Sequence, residues 1–538
     1  MLASTVIQEI LRSRFGFDEF RPQQEAICQA VASGRNTLVV MPTGAGKSLC
    51  YQLPGLARGG TTLVISPLVA LIEDQVHRLK TLGMKAGRIH SGREREESRD
   101  TFKSYLRGEL EFLFIAPERL GVPGFSEMLR KHPPSLIAVD EAHCISQWGH
   151  DFRPDYRLVG ERLQGLPNTP IVALTATATE QVQVDICNQL KLQNPQLFIH
   201  GFRRSNLAVQ VKDTLPSERI EEILAFFTDK DRLPAIVYAP TRKKAEDLAV
   251  RLKKKHRCKA YHAGMSPEER EEVQVGFIED RLDIIVATVA FGMGIDKANV
   301  RSVVHAALPA SVEGYYQEIG RAGRDGLPSN ALLLHGYSDR KTHEFFLDRD
   351  HPESNSEQRK ARLRQLDAMQ AFTAGQGCRM LQLIQHFGDE SDGTTKCGIC
   401  DRCVPHSDVR ALDRVELEIA TLLLASLSGR DGQATGRLYE EVCVQQPKLS
   451  RTVFERILGA LERARLIELA QSEFEKGGKL ISFRRVLLLT AGKSIHAKKL
   501  AEVEIQGASS ASSISPSNRV PGLKKRRPYR KKPLRSYV

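Results

Sequence analysis

Long hydrophobic runs are absent from this 538-residue chain. The longest candidate, IATLLLASL at residues 419–427, falls far short of the roughly 20 residues that cross a bilayer, and is typical of a core helix. Residues 1–17 place arginines within an amphipathic pattern and lack the apolar core of a secretory leader. These absences predict a protein that has no membrane span and works in the cytoplasm.

Cysteine is too sparse for a disulfide scaffold, with ten in the whole chain. Six stand singly, at positions 28, 50, 144, 187, 258 and 443. The other four form the pattern Cys378-x18-Cys397-x2-Cys400-x2-Cys403. In a reducing compartment this spacing predicts a structural zinc site of four thiolates that staples a helical hairpin. An iron–sulfur cluster is the less favoured metal, and four unpaired thiols are the alternative without one.

Acidic residues are missing from the last twenty positions, 519–538, which hold nine lysines or arginines. This segment leaves only +4 of the net charge of +13 for the rest of the chain. It follows a low-complexity linker, ASSASSISPSNR at 508–519. We expect a disordered tail that binds a polyanion, and nucleic acid is the favoured partner because neutralising phosphates needs no fold.

Short β-branched runs alternate with helical stretches from about residue 25 to 200, which predicts a parallel α/β sheet. The runs are NTLVVM, TTLVISP, EFLFIAP, LIAVDEAH and PIVALTAT. The same rhythm restarts after residues 201–211 and continues to about 340, through AIVYAPT, KAYHAGM, DIIVATVAFGMG and SVVHAALP. We therefore expect two tandem α/β domains with a cleft between them, with functional groups at the carboxyl ends of the strands.

The rest of the chain reads differently. Residues 340–405 are helical and charged and run into the cysteine cluster. Residues 408–493 read as three helices followed by two strands around EKGGK at 475–479, which is consistent with a winged-helix module.

The segment MPTGAGKS at residues 41–48, the P-loop, follows a predicted strand and opens a predicted helix. In that context the backbone N–H groups of Thr43–Lys47 wrap phosphates, while Gly44 and Gly46 allow the close approach. Lys47 would neutralise the outer phosphates and Ser48 would ligate Mg²⁺. The alternative is a glycine-rich turn that only precedes a buried helix.

A second strand end carries Asp140 and Glu141, within AVDEAH. Asp140 would hold Mg²⁺ and Glu141 would orient and deprotonate the attacking water. A helix N-cap is the ordinary role of such a pair. Two phosphate motifs in the right order favour an ATP site.

The residues after this pair, CISQWGHDFRPDY at 144–156 (the aromatic loop), contain the chain's single tryptophan, Trp148. Aromatic rings beside a cation suit the stacking of unpaired bases and contact with phosphates. A loop of core-packing aromatics is the alternative.

Together these segments resemble the RecQ family of DNA helicases. The resemblance rests on FGFDEFRPQQ, MPTGAGKS, DEAHCISQWGHDFRP, ALTATAT, YHAGM, ATVAFGMGIDK and QEIGRAGRDG, in that order. It implies two RecA-like motor domains, a helical zinc-binding subdomain and a winged-helix domain, and the composition adds a Ser-rich linker and a disordered basic tail. The predicted ranges are 1–205, 206–343, 344–407, 408–495 and 496–538, in that order.

The resemblance also implies roles for residues around the nucleotide. Arg21 and Gln24 match the element that reads adenine, and Phe17 matches the position that stacks on the base. Arg321 and Arg324 resemble the arginines that reach the γ-phosphate across the cleft, where a solvated helix face is the alternative.

For DNA, the resemblance assigns the aromatic loop to sensing single strands and signalling to the ATP site. The residues implied are His143, Trp148, His150, Phe152 and Arg153. The winged-helix module would engage duplex DNA.

An aromatic side chain at the tip of its wing, Phe474, would wedge the terminal base pair. Phe483 fits a core position better. Both assignments rest on the predicted strand pair.

The implied activity is ATP-driven, 3′→5′ unwinding of DNA in repair and recombination, at the nucleoid if the cell is bacterial. A single-strand-binding protein is an expected protein partner. An RNA-directed ATPase is disfavoured by the cysteines and by QWGHDFRP. A DNA-binding scaffold with an inactive motor would require the loss of Lys47, Glu141 or the paired arginines, and all are present. The family's optional C-terminal helical module is not evident, and the basic tail stands in its place.

Overall fold

The computed structural model describes residues 2–506, except 91, 93, 150, 167–168, 293–296, 351–355, 393, 405–408, 448, 477–478 and 496. The chain forms two compact units, Met1–Pro405 and His406–Val538. Their division lies close to the domain boundary predicted after residue 407, and the other predicted boundaries stay predictions. Within the described ranges, no helix combines the length and the apolar character that crossing a membrane requires.

Seven parallel strands make the first sheet, in the spatial order β3-β4-β2-β5-β6-β1-β7. They are β1 Thr37–Val40, β2 Thr62–Ile65, β3 Ala86–Ile89, β4 Phe112–Ile115, β5 Leu136–Val139, β6 Ile171–Thr175 and β7 Gln196–Ile199. Five coincide with the predicted buried runs. The sequence pattern does not predict β3 and β7, because both are edge strands and lack a continuous β-branched run.

The sheet is buried on both faces, since successive side chains of a strand enter different cores. In β1, Leu38 and Val40 join one apolar cluster while Val39 joins the other. Helices supply this cover, as expected for a parallel sheet. They are α1 Leu2–Phe15, α2 Gln24–Ala32, α3 Leu49–Arg58, α4 Val69–Thr81, α5 Arg95–Leu106, α6 Phe125–Lys131, α7 Pro154–Arg157, α8 Val159–Arg162 and α9 Glu180–Gln189.

A second sheet of six parallel strands follows, in the order β10-β11-β9-β12-β13-β8. Its strands are β8 Leu207–Asp213, β9 Ala235–Tyr238, β10 Cys258–Tyr261, β11 Ile284–Ala287, β12 Ser302–His305 and β13 Ser329–His335. Its helices are α10 Arg219–Phe226, α11 Arg242–Leu252, α12 Pro267–Ile278 and α13 Val312–Ile319. The predicted pair of tandem α/β domains is confirmed.

Three helices then lead to the cysteine cluster: α14 Tyr337–Asp350, α15 Ser356–Ala374 and α16 Arg379–His386. Cys378 stands immediately before α16, at the N-cap position of that helix. The other three cysteines lie in the turns that follow. This part of the first unit is helical, as predicted.

The second unit contains β14 Val409–Ala411, α17 Arg414–Gly429, β15 Gln433–Ala434, α18 Thr435–Gln445, α19 Arg451–Arg463, β16 Ile467–Lys476, β17 Lys479–Leu488, α20 Thr490–Lys493, α21 Ala497–Ala501 and β18 Glu504–Gln506. The predicted order of three helices and two strands is present. The first hairpin strand extends to Lys476, because the antiparallel pairing continues to the turn.

The backbone of Phe474 pairs with Ile481 in this hairpin, close to the turn. The side chains of Phe474 and Phe483 fall outside the described parts. The low-complexity segment from residue 508 and the basic tail lie outside them as well. The winged-helix assignment and the wedge role of Phe474 stay predictions.

Candidate nucleotide, nucleic-acid and metal sites

The strand order brings the predicted phosphate motifs together. Strand β6 lies between β1 and β5, and all three run parallel. The P-loop follows β1, the acidic pair follows β5, and residues 176–179, the end of ALTATAT, follow β6. Because parallel strands end at the same edge, all three loops meet there.

Two glycines give the P-loop its shape. Gly44 and Gly46 have φ of 85° and 86°, in the left-handed region that favours glycine. A side chain at Gly46 would also run into the amide nitrogen of Gln24. The sequence therefore needs glycine at these positions for backbone reasons, apart from any ligand.

Met41, where a glycine often begins this motif, is part of the core. It is 3% exposed, and its N–H donates to the Thr175 carbonyl at 3.1 Å, which extends the β1–β6 pairing. A large apolar residue fits here because the chain has not yet left the sheet.

Lys47 is tied to the beginning of its own loop. Its Nζ donates to the carbonyls of Met41 at 3.0 Å and Pro42 at 3.2 Å. Burial lowers the pKa of Lys47, while the nearby Glu141 and Asp140 oppose that shift. The ammonium therefore sits beside both acids.

The acidic pair is strongly coupled to its surroundings. Burial and the neighbouring Glu141 raise the pKa of Asp140 to about 7, against the effect of Lys47. Asp140 Oδ1 accepts the Glu141 N–H at 3.0 Å. The Asp140 carboxylate and the Ser48 hydroxyl are hard oxygen donors, and they suit Mg²⁺ chemically.

The predicted adenine element packs against the P-loop. Gln24 is 1% exposed, and its amide donates to the carbonyls of Ala45 at 3.1 Å and Gly46 at 3.3 Å. Arg21 donates from its side chain to the Gly44 carbonyl, and its N–H reaches Gln24 Oε1 at 2.9 Å. Phe17 is 44% exposed, so its ring faces solvent. The base-reading roles of the three residues stay predictions.

The two arginines of GRAGRDG occupy different places. Arg324 reaches the P-loop of the first domain, since its Cγ lies 3.7 Å from a side-chain position built at Gly44, and its charge acts on Lys47. Arg321 is 6% exposed and donates to the Gly292 carbonyl within the second domain. The structure therefore brings Arg324 to the P-loop, whereas the described bond of Arg321 holds it in its own domain. Both finger assignments stay predictions.

The aromatic loop is anchored to helix α15. The guanidinium of Arg364 lies 5.1 Å from the centre of the Trp148 ring, and Gln365 donates to the Trp148 carbonyl at 2.7 Å. Trp148 is half-buried. Sequence reasoning did not identify Arg364 or Gln365, because nothing in a charged helix marks a partner more than 200 positions away.

The other residues predicted to couple DNA to the ATP site have different surroundings. His143 is 1% exposed, with Nδ1 2.8 Å from Thr175 Oγ1 and 3.3 Å from Glu141 Oε2, so it links the acidic pair to β6. Arg153 donates to the Pro67 carbonyl at 2.6 Å. Phe152 is half-buried, and His150 lies outside the described residues.

Tyr156, the last residue of the aromatic loop, packs in the core and does not offer its ring for stacking. It is fully buried, and its hydroxyl donates to the Ile65 carbonyl at 2.9 Å and to the Asp140 carbonyl. It therefore joins the end of the aromatic loop to the strand end that carries the acidic pair. Its position after Arg153 in the motif was the available signal, but a motif does not reveal burial.

The four predicted zinc ligands converge. All four Sγ atoms lie within 4.8 Å of one another, with Cys397 to Cys403 at 3.8 Å and Cys378 to Cys400 at 4.0 Å. A tetrahedral site with Zn–S bonds of about 2.3 Å separates its sulfurs by about 3.8 Å. The thiols therefore fit zinc in both chemistry and spacing.

Backbone groups around the cluster also suit thiolates. The Cys397 N–H donates to Cys378 Sγ at 3.2 Å, and the Arg379 N–H donates to Cys400 Sγ at 3.4 Å. The buried Arg379 side chain in turn pairs with Asp401 at 3.1 Å. These contacts fix the cysteine turns against the start of α16.

Known families match the chain in three segments. The DEAD/DEAH box helicase model matches residues 21–184, the helicase conserved C-terminal domain matches 217–326, and the RecQ zinc-binding model matches 337–404. The third match covers the thiol cluster, so residues 337–404 form a zinc-binding region with four cysteine ligands.

Two solved structures share the fold. They are a DUF1998 helicase, MrfA, bound to DNA and AMPPNP, and the Mycobacterium smegmatis helicase Lhr bound to ssDNA and AMP-PNP. For MrfA the TM-score is 0.52 at 19% identity, over 72% of this chain and 57% of that one. For Lhr it is 0.50 at 21% identity, over 89% and 60%. They support the assignment of two RecA-like domains.

Curated relatives are much closer in sequence. The ATP-dependent DNA helicase RecQ of Pasteurella multocida is 40% identical over 74% of this chain and 62% of its own length, and that of Haemophilus influenzae is 41% identical over 73% and 63%. The chain thus spans a little over three-fifths of these two relatives. RecQ of Bacillus subtilis is 40% identical over 77% of this chain and 69% of its own length. The motif set, the two sheets, the four thiols and these identities together place the chain in the RecQ family of DNA helicases.

Proposed function

We propose that the protein is an ATP-dependent DNA helicase that unwinds duplex DNA with 3′→5′ polarity. The observation that carries this proposal is the approach of Arg324, which lies in the second α/β domain, to the P-loop of the first. When an ATP site is shared between two domains, binding and hydrolysis of ATP close and open the cleft between them. This movement of the domains drives the motor along DNA. The family relationship supplies DNA as the substrate, and repair and recombination as the processes served.

The chemical roles follow from the site. Backbone N–H groups of the P-loop and Lys47 bind the phosphates, which replace the carbonyl partners that Lys47 now has. Glu141 orients the attacking water and accepts its proton, and Arg324 stabilises charge on the γ-phosphate, as Arg321 would from the same loop. Ser48 and Asp140 would hold Mg²⁺, which supplies further neutralisation of the phosphate oxygens.

The binding of DNA would be transmitted to the ATP site through direct contacts between neighbouring residues. Bases stacked on Trp148 would shift the aromatic loop, and His143 and Tyr156 connect that loop to Glu141 and Asp140. Phe152 and Arg153 would add stacking and phosphate contacts. The second unit would bind duplex DNA, and the basic tail would add affinity that depends on salt.

The cellular setting is proposed on the same grounds. A motor acting on chromosomal DNA works in the cytoplasm, at the nucleoid in a bacterium. A single-strand-binding protein is a fitting partner, because unwinding exposes the strands that it covers.

Strand displacement tests the proposal most directly. Duplexes of DNA and of RNA with either a 3′ or a 5′ single-stranded tail are mixed with the protein, ATP and Mg²⁺. We expect separation of the 3′-tailed DNA duplex alone. Separation of RNA duplexes, or of the 5′-tailed DNA, would contradict the substrate or the polarity, and no ATP hydrolysis on any nucleic acid would contradict the enzyme.

A further inference from the structure

Residues 200–206, the linker, join the two sheets and begin beside the P-loop. The linker leaves β7, which pairs with β1, the strand that carries the P-loop. The His200 N–H donates to the Val40 carbonyl at 3.1 Å, and a side chain built at Gly201 would lie 3.8 Å from the ring of Pro42. One end of the linker is therefore seated against the start of the P-loop.

The other end of the linker holds the segment that carries Arg324, residues 320–327 (the arginine loop). The guanidinium of Arg204 donates to the carbonyls of Gly320 at 3.3 Å, Ala322 at 2.7 Å and Gly323 at 2.9 Å. Arg204 is half-buried, so water competes little for these bonds. A planar guanidinium with several fixed donors can hold three carbonyls in one arrangement, which a single ammonium cannot do equally well.

Asn206 adds a second attachment. Its side-chain amide donates to the carbonyls of Gly323 at 2.9 Å and Leu327 at 2.8 Å. Gly323 has a φ of 61°, and a side chain there would collide with this amide. The turn of the arginine loop is thus shaped around the linker.

The loop is also fixed from within its own domain. Arg301 donates to both carboxylate oxygens of Asp325, at 2.7 and 2.6 Å. This ion pair belongs entirely to the second domain. Arg204 differs from Arg301 because it lies on the segment that connects the two sheets.

We propose that Arg204 is a positioning residue for ATP hydrolysis, which ties the arginine loop to the interdomain linker so that closure of the cleft sets Arg324 against the P-loop. The inference rests on the proposed function, because it assigns Arg204 a part in the hydrolytic step. Arg204 acts through the backbone of the arginine loop and makes no contact with the nucleotide itself.

A double-mutant cycle tests the inference. ATP hydrolysis is measured with saturating oligo(dT) for the wild type, Arg204→Ala, Arg324→Ala and the double variant. A loop displaced by about 1 Å costs roughly 10- to 100-fold in kcat. We expect Arg204→Ala to lose that much kcat with KM for ATP within about threefold, because Lys47 and the P-loop are untouched. The double variant should be no slower than Arg324→Ala.

The matched control is Arg203→Ala, in the same linker. Arg203 pairs with Asp392 at 2.5 Å and donates to the Thr395 carbonyl at 2.7 Å, away from the arginine loop. Any loss it causes should multiply with that of Arg324→Ala. Arg204→Lys, which keeps a charged donor, should recover part of the lost kcat and serves as the test variant if Arg204→Ala fails to fold.

The outcomes distinguish failure of the proposed function from failure of the positioning role. If the wild type hydrolyses no ATP, the proposed function fails. If the wild type is active but the losses from Arg204→Ala and Arg324→Ala multiply, or if Arg204→Ala keeps more than half of the wild-type kcat, the positioning role fails and the proposed function stands.

Discussion

In the thiol cluster, four sulfurs lie within 4.8 Å of one another and two backbone N–H groups already point at them. In the nucleotide site, by contrast, the chief polar side chains are bonded to the P-loop itself: Lys47 to the carbonyls of Met41 and Pro42, and Gln24 to those of Ala45 and Gly46. A metal ion meets donors that are already gathered, whereas a nucleotide exchanges hydrogen bonds with the protein.

This difference fits the two tasks. A neutral hydrogen bond contributes about 1 kcal/mol net, and one to a charged group somewhat more, so each exchange in the nucleotide site is nearly balanced. A site that binds and releases its ligand in every cycle needs such balance. A structural metal site needs the opposite, since binding there contributes directly to folding.

Among the variants, Lys47→Ala should reduce activity most. It removes the ammonium group that would leave the Met41 and Pro42 carbonyls to bind the phosphates, and we expect DNA-stimulated ATP hydrolysis to fall at least about 1,000-fold. Binding of a labelled DNA, measured by fluorescence anisotropy, should persist. Lys80→Ala, at an exposed position on α4, is the control and should keep full hydrolysis. Substantial hydrolysis by Lys47→Ala would refute the assignment of the P-loop.

Cys400→Ser removes one of the four thiols of the thiol cluster. The wild type should contain about one zinc per chain, and the variant should lose zinc by at least an order of magnitude, because a hydroxyl replaces a thiolate ligand. Metal content is measured by plasma mass spectrometry after dialysis. Cys443→Ser, in the second unit, should leave zinc unchanged. Equal zinc content in the two variants would contradict the assignment of a four-thiolate zinc site.

Gly46→Ala sharpens the comparison within the P-loop. The added methyl group meets the Gln24 amide and forces a φ of 86° on alanine. We expect KM for ATP to rise about tenfold, because strain of about 1–3 kcal/mol falls on the phosphate-binding backbone. Gly108→Ala carries a similar φ of 71° with nothing near the added carbon. It should lower stability but leave KM unchanged, and an equal rise in KM there would assign the effect to global strain.

Tyr156→Phe should give the smallest change. It deletes one buried hydroxyl that bridges the aromatic loop to Asp140, at a cost of about 1 kcal/mol. We expect the ratio of DNA-stimulated to basal ATP hydrolysis to fall severalfold. Tyr105→Phe removes a comparable hydroxyl, bonded to the His132 carbonyl at 2.6 Å, outside that loop. If both variants lower the ratio equally, Tyr156 has no part in coupling.

Much of the fold could be predicted because parallel strands covered on both faces leave continuous apolar runs. The edge strands β3 and β7 were not predicted, because a strand at the edge of a sheet is less buried and its sequence lacks a continuous apolar run. The residues at the carboxyl ends of β1 and β5 could be predicted from motifs, because phosphate and metal chemistry restricts their spacing.

What could not be predicted are partners that only the folded chain brings together. Arg204 meets the arginine loop more than 100 positions later, and Gln365 meets Trp148 across more than 200. Neither contact leaves a local pattern. Tyr156 lay inside a recognised motif, yet its role depended on burial, which the motif does not state.

The chain has a single tryptophan, and Trp148 stands in the aromatic loop beneath the guanidinium of Arg364. Indole emission excited at the red edge of protein absorption therefore originates from this one ring. Its wavelength and intensity follow the polarity and contacts of the loop, without a label or an engineered probe. Stopped-flow mixing with oligonucleotides would record how fast the loop responds, independently of ATP turnover.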